Sequence, residues 1–450
     1  MRKTVISLIK LELAAAFWLL SVFLSQPAQA RDIKLLGDDE TERLLEEIIK
    51  PLMQQARQPY HRNSIHIVED KSLNAFVSDG NHLFIHSGTL IKANDVNELA
   101  GVIAHEIGHI KGGHIIRQKL EIREMNNLSL ISAALAGAAG VLSGRADAAF
   151  AIMLGGQSSA LNQFVHYRAN EERAADETAV KLLKATKQSP RGILNFMKKI
   201  NKDNQLNGRE ETPYFRTHPL TPERITYFEG ALADNNSPTT SPLDERYAKV
   251  RAKLEAYLGK PQEILRKYNG NDTASLYART IAYFKDLQFD QATQHIDKLL
   301  QKEPQNPYFW ELKGQMEFER GQIKEAVKSF AQAQKIYPAS EDGKINYAAA
   351  LLEENESSDN AKKAAILLDK VLLNNPQSYY LWDLRAKAAA RQKDMATAYY
   401  VAGEMAFLRQ EFETALKQLD KATKASPTPQ LKIKIDDLKE RIKQEKKKDN

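Results

Sequence analysis

Between Glu98 and Ile115 the chain reads Glu-Leu-Ala-Gly-Val-Ile-Ala-His-Glu-Ile-Gly-His-Ile-Lys-Gly-Gly-His-Ile, and no other stretch restricts its fold and chemistry as strongly. His105, Glu106 and His109 form H-E-x-x-H. On a helix, residues four apart share a face about one turn apart, so both imidazoles can reach a single Zn²⁺. Glu106 emerges beside them, suited to take a proton from a water on that ion. Leu99, Val102, Ile103, Ile107 and Ile110 give the same helix apolar sides. The pattern predicts a rigid, partly buried rod that carries its ligands. A bare H-E-x-x-H arises often by chance, so the case for chemistry rests on its surroundings.

The chain has 450 residues, 42% of them hydrophobic, enough for two or three domains with cores of their own. Net charge is +6, and much of the excess sits in the tail at Lys443, Lys446, Lys447 and Lys448, read as a solvated helix end. No basic patch interleaved with aromatic residues is present, so no nucleic-acid partner is expected. The absence of cysteine excludes thiol catalysis, cysteine-ligated zinc, disulfides and a lipid-modified N-terminal cysteine. Arg2, Lys3 and Lys10 precede an apolar run from Ala14 to Leu24 that is too short to span a bilayer, and Ala28-Gln29-Ala30 follows as a cleavage site. Residues 1–30 are therefore expected to be a signal peptide and the mature chain to start at Arg31 and be exported, with an uncleaved anchor as the alternative.

Asp38 to Arg57 reads as an amphipathic helix with Leu44, Leu45, Ile48, Ile49 and Leu52 inward, and Pro51 is expected to kink or interrupt it. Strand signals follow at 64–68, 73–77 and 82–86, with a hairpin turn at 78–81. The edge of such a sheet can pair with an extended peptide, or the sheet can serve only to pack on the helix. His61, His66, His82 and His86 are read as surface or strand residues. Two uncharged windows, 126–144 and 148–165, are rich in Ala, Gly and Ser, with Gln157, Asn162 and Gln163 interspersed. They read as semi-apolar helices that pack over the active site or touch a membrane surface peripherally, rather than as membrane spans.

Zinc on H-E-x-x-H needs a third protein ligand and keeps a fourth position for water. The metzincin pattern asks for histidine at 115, where Ile115 stands; His114 is one position early, about 100° around a helix. A carboxylate on a second helix is the other solution. Glu172, with Asp176 one turn later on the same face, fits: Glu172 on the metal, Asp176 on the free N–H of a ligand histidine. Spacing alone does not rank Glu171, Glu172 and Glu177.

The set His105-Glu-Ile-Gly-His109, then Glu172-Arg-Ala-Ala-Asp176, then Thr217-His-Pro-Leu-Thr-Pro-Glu-Arg-Ile225, resembles the M48 family of zinc metallopeptidases. The resemblance spans roughly residues 35 to 230 and selects Glu172 as third ligand. It implies that His218 approaches the metal, as an oxyanion stabiliser or as a fourth ligand in a resting form, and that Arg224 supports the site. His114 receives no metal role, and His166 is read as a packed helix residue. The fold implied is α+β, a mostly helical gluzincin-type domain over 31–233 with a small sheet, binding one Zn²⁺ per chain.

Asp234 to Pro242 is a linker by composition. From 243 to 450 the chain repeats about every 34 residues, the length of a tetratricopeptide (TPR) helix pair, which predicts an all-α solenoid. Trp310, Gly314, Ala326, Phe330, Ala333 and Pro338 fall on the pattern. Tyr283, Ala292 and Pro304 mark the repeat before; Ala364 and Pro376, then Gly403, Ala415, Ala422 and Pro427, mark repeats after it. Trp382 and Ala398 belong to a degenerate unit. Such a chain resembles TPR-bearing M48 peptidases of the Gram-negative periplasm. That resemblance implies endoproteolysis of misfolded or stalled envelope proteins in outer-membrane β-barrel assembly, with the repeats docking on the assembly machinery and a chaperone role beside it. The competing readings are a periplasmic TPR chaperone or scaffold with an idle metal site, and a membrane-embedded peptidase.

Overall fold

The computed structural model describes residues 34–78, 81–117, 120, 168–207, 214, 218–233, 238–354 and 357–448. The expected signal peptide, the windows between 126 and 165, and His166 lie outside the described residues. No helix among the described residues is long and apolar enough to cross a membrane.

Helix α1 (Asp39–Ala56) starts where Asp38 accepts the Thr41 amide at 3.1 Å and Glu42 reaches back to the Asp38 amide at 3.2 Å, a reciprocal cap. Its inward residues are the predicted ones, with Leu44, Leu45, Ile48, Ile49 and Leu52 at most 2% exposed. Of the two outcomes expected at Pro51, interruption does not occur: α1 runs through it as one helix. Pro51 and Glu47, whose carbonyl loses its amide partner, both lie on the exposed face, where water can replace the missing bond.

Strands β1 (Leu35–Leu36), β2 (Ile65–Val68), β3 (Ala75–Ser78) and β4 (His82–His86) form one sheet in the order β1-β2-β4-β3. β2 and β4 are parallel, while β3 and β4 make the predicted hairpin with Phe76 opposite Phe84. Alternation turns Ile67, Ala75, Val77, Leu83 and Ile85 into the core. β3 is left as an edge among the described residues.

After α2 (Ser87–Lys92) comes α3 (Val96–Gly112), which carries the metal motif. Asp95 caps it by accepting the Glu98 amide at 2.9 Å, and the Glu98 carboxylate takes the Asn94 amide at 2.8 Å. Every residue from Val96 to His109 is buried, because α1, the sheet, α4 (residues 168–185) and α5 (Arg191–Asn207) surround the rod. Helix α6 (Pro222–Ala233) closes this half.

The second half is wholly helical: α7 (Asp244–Leu258), α8 (Pro261–Lys267), α9 (Thr273–Lys285), α10 (Phe289–Lys302), α11 (Pro307–Glu319), α12 (Ile323–Ile336), α13 (Glu341–Glu354), α14 (Ser358–Leu372), α15 (Tyr379–Arg391), α16 (Met395–Leu408), α17 (Phe412–Lys424) and α18 (Pro429–Lys448). The Trp310 indole donates to the Pro304 carbonyl at 2.9 Å and the Trp382 indole to the Pro376 carbonyl at 2.8 Å, so both tryptophans lock the same inter-repeat turn. The turns after α9, α11 and α15 each use one left-handed residue, Leu287, Gly321 and Lys393.

Helix α7 serves both halves. Tyr247, Val250 and Leu254 pack into the core around α3, while Ala252 and Ala256 pack on α9. The Lys253 ammonium meets Asp38 at 2.5 Å and Glu40 at 2.8 Å, Tyr277 donates to Glu40 at 3.1 Å, and Tyr308 donates to Asp39 at 3.2 Å. The start of α1 is thus clamped by the solenoid. Beside the clamp lies a groove of about 450 Å³ lined by Asp39, Tyr308, Glu311 and Asp342 among others. Burial raises the Glu311 carboxyl to about 8, with Asp342 and Asp39 adding repulsion and Lys253 opposing it. Between its ordinary 4.5 and about 8, the folded state holds a proton that the unfolded chain has released, so Glu311 makes stability fall as pH rises through that window. Glu311→Gln is expected to raise the thermal midpoint at pH 8 and leave it unchanged at pH 4.5. Equal shifts at the two pH values would refute this account.

Candidate metal centre

His105, Glu106 and His109 project from the end of α3 where Gly108 has no side chain. A Cβ there would lie 2.8 Å from the Cα of Ala175, so the backbone of α4 rests directly on this glycine. Ala175 sits between Glu172 and Asp176, and the close approach delivers both carboxylates to the histidines of α3. Glu172 Oε2 is 3.3 Å from His105 Nε2, Glu172 Oε1 is 3.4 Å from His109 Nε2, and the two Nε2 atoms are 3.1 Å apart. Asp176 Oδ1 lies 2.8 Å from His105 Nδ1, the nitrogen that faces away from this triangle.

The segment ahead of α6 adds His218. Its Nδ1 is 3.2 Å from His105 Nε2 and 3.0 Å from Glu172 Oε1. Its backbone amide donates to the Tyr214 carbonyl at 2.7 Å, and the Tyr214 ring lies 4.8 Å from the imidazole. Arg224, on the first turn of α6, grips Asp176 with two bonds of 2.6 and 2.8 Å, approaches Glu172 at 3.1 Å, and donates to the Pro219 carbonyl at 2.8 Å. All these side chains are at most 6% exposed.

The donor set fits a metal ion. One ligand atom each from His105, His109, Glu172 and His218 lies within 4.8 Å of the others. Ligands at about 2.0–2.1 Å from a tetrahedral zinc stand roughly 3.3 Å apart; the two Nε2 atoms are 3.1 Å apart, and each has one oxygen of the Glu172 carboxylate, Oε2 for His105 and Oε1 for His109, at 3.3 and 3.4 Å. Glu171 and Glu177 are not part of the group. Glu106 is fully buried, and its two oxygens have no hydrogen-bond partner among the described residues; the His218 ring is 3.5 Å away.

The electrostatics follow from this crowding. Burial alone would raise the Glu172 carboxyl, but His218, His105 and His109 hold it well below its ordinary range. Burial works against a charged His105, yet the bonds to Asp176 and Glu172 lift it to about 9. Burial lowers His109 and His218 instead, since Glu172 cannot compensate all three rings. Burial pushes Glu106 up to about 7 despite the pull of His109 and His105, a value suited to proton transfer near neutrality.

One neighbour of the site escapes sequence reasoning, and another takes a contact that the sequence does not announce. Tyr214 carries no motif signal at all. His114, given no metal role from the sequence, is 3% exposed, with its Nδ1 at 2.8 Å from His109 Nδ1. Burial first, then His109 and Arg117, press it down to about 4, so it is neutral. His66 and His82 contact each other across β2 and β4 at 2.8 Å and do not enter the centre.

Residues 39–231 match the profile of peptidase family M48, and residues 295–411 match that of the TPR domain of cytochrome c-type biogenesis protein H. The chain is similar to the beta-barrel assembly-enhancing protease of Yersinia pestis, 25% identical over 348 residues that cover 75% of this chain and 69% of that protein. The protein of the same name from Escherichia coli strain K12 is 23% identical over 367 residues, 77% of this chain and 72% of its own length. Among solved structures, yeast Tom70 aligns with 92% of this chain and 78% of its own at 13% identity and a TM-score of 0.33.

Proposed function

We propose that this chain, a metalloprotease carrying a family M48 peptidase domain followed by a TPR domain, is an exported zinc endopeptidase of the periplasm that removes misfolded or stalled envelope proteins during outer-membrane β-barrel assembly. The observation that carries the enzymatic reading is the group of His105, His109 and Glu172 with the buried Glu106 beside it, whose oxygens have no hydrogen-bond partner among the described residues. The relatives' names support the assembly role. In this reading the mature chain begins at Arg31, residues 31–233 form the peptidase, 234–242 the linker and 243–450 the solenoid, with α7 shared.

His105, His109 and Glu172 would hold Zn²⁺, and Asp176 orients His105. The ion, when bound, supplies a Lewis acid that polarises the scissile carbonyl and acidifies water. Glu106 takes the proton of the attacking water and returns it to the leaving amine. Edge strand β3 lies beside the motif helix, where an extended substrate can add as a further strand. His218 Nδ1 lies at tetrahedral-edge distance from two members of the triangle, which favours a resting state capped by this residue. His218→Ala is then expected to raise turnover of an unfolded protein; a loss would assign His218 to the oxyanion instead.

The deciding experiment is the metal content of purified residues 31–450. About one zinc per chain, lost in Glu172→Ala, is expected from a three-residue catalytic set. A chain that takes no zinc after reconstitution would refute the enzyme reading.

A further inference from the structure

We propose that His114 is a positioning residue of the metal centre: its Nδ1 accepts the Nδ1–H of His109 and holds that ring in the tautomer whose Nε2 lone pair faces the ligand triangle. The proposal rests on the zinc-site reading above and concerns a residue outside the ligand set.

His109 turns Nε2 toward His105 and Glu172, at 3.1 and 3.4 Å, so its Nδ1 points away from the centre. A neutral imidazole that ligates through Nε2 must carry its proton on Nδ1, and buried as it is, that N–H needs an acceptor. His105 meets the same need with Asp176. For His109 the acceptor is His114, Nδ1 to Nδ1 at 2.8 Å, with the two rings 4.8 Å apart and 80° to each other. An acceptor lone pair on Nδ1 places the His114 proton on Nε2.

The backbone is built for this contact. α3 ends at Gly112, and Gly113 takes a left-handed φ of 64° while its N–H bonds the His109 and Ile110 carbonyls. That reversal sets the His114 ring against His109 and Gly112 of the helix it has just left. A Cβ on Gly112 would sit 2.1 Å from His114 Nε2, so the ring occupies the space that a side chain at 112 would fill. The Gly-Gly-His sequence after the motif is therefore one device: a stop, a turn and an acceptor.

Three variants test it in the mature chain: His114→Phe, which keeps a ring and removes the acceptor; His114→Asn, whose amide oxygen can take the place of Nδ1; and Gly112→Ala, whose methyl displaces the ring. Alanine is the better helix former, so a defect in the last variant would not reflect a weaker α3. Zinc affinity is measured by chelator competition, and the His109 tautomer by ¹⁵N–¹H correlation of the labelled histidines with and without zinc. His114→Phe and Gly112→Ala are expected to weaken zinc binding about 10- to 100-fold and to lose the Nδ1–H signal of His109, with His114→Asn recovering most of both. Wild-type affinity and an unchanged His109 tautomer in His114→Phe would overturn the proposal, as would a His114→Asn variant as weak as His114→Phe. If the wild type itself takes no zinc, the zinc reading fails, and the tautomer in the metal-free protein decides the role of His114 alone.

Discussion

Glu106→Gln is expected to abolish hydrolysis of an unfolded protein substrate while leaving zinc in place. The substitution preserves shape and removes only the ability to take and return a proton. Glu106 stands outside the triangle of ligand atoms, so metal content has no reason to fall. General base catalysis is worth about 10²–10⁴-fold, and a loss in that range, read as turnover at equal zinc occupancy, is the result to look for. Turnover within about tenfold of wild type would show that another group moves the proton. In cells the same variant separates two readings. If its phenotype matches deletion, proteolysis is the working activity; if the cellular effect persists, the solenoid acts without it.

Arg224→Leu is expected to cost about 3–5 kcal/mol of stability, because it breaks a buried ion-pair network and leaves Asp176 and Glu172 with only the histidines as partners. The guanidinium is 6% exposed and makes both bonds to Asp176 as well as the approach to Glu172. It ties the first turn of α6 to the middle of α4. Denaturant unfolding followed near the site measures the loss. Arg224→Lys should recover little, since an ammonium cannot make the paired bonds of a planar fork. An unchanged unfolding midpoint in Arg224→Leu would mean that the ion-pair network relaxes into water.

Much of this site is legible in the sequence for a geometric reason. His105 and His109 lie on one uninterrupted helix, and helical spacing alone brings them together. Glu172 and Asp176 are likewise one turn apart, so their two roles follow from one face. What spacing cannot supply is the contact between helices: whether Glu171, Glu172 or Glu177 reaches the metal depends on where α4 crosses α3, and Gly108 sets that crossing. Choosing Glu172 needed the family resemblance. Tyr214 was missed because it stands outside every motif, and the contact of His114 with His109 forms across the helix end at Gly113, where periodicity carries no information. That Pro51 does not interrupt α1 could not be read, because its cost depends on which face of α1 meets water. The solenoid was readable from Trp310, Ala326 and Pro338 because each repeat restates the same lock, and Trp382 found its place only when its bond to Pro376 was seen. The clamp of α1 by Lys253, Tyr277 and Tyr308 joins residues too far apart in the chain for any pattern to announce.

The core around α3 borrows Tyr247, Val250 and Leu254 from α7, a helix of the second half. That sharing sets an order of events as the chain is made. A nascent chain that has emerged through His109 holds two ligands and no site. Glu172 and His218 arrive later, and the core around α3 stays incomplete until α7 follows. Because contacts distant in sequence form last, the hydrolytic centre cannot mature ahead of the first solenoid helices. Assembly of the group formed by His105, His109, Glu172 and His218 is thereby tied to the first helix of the second half.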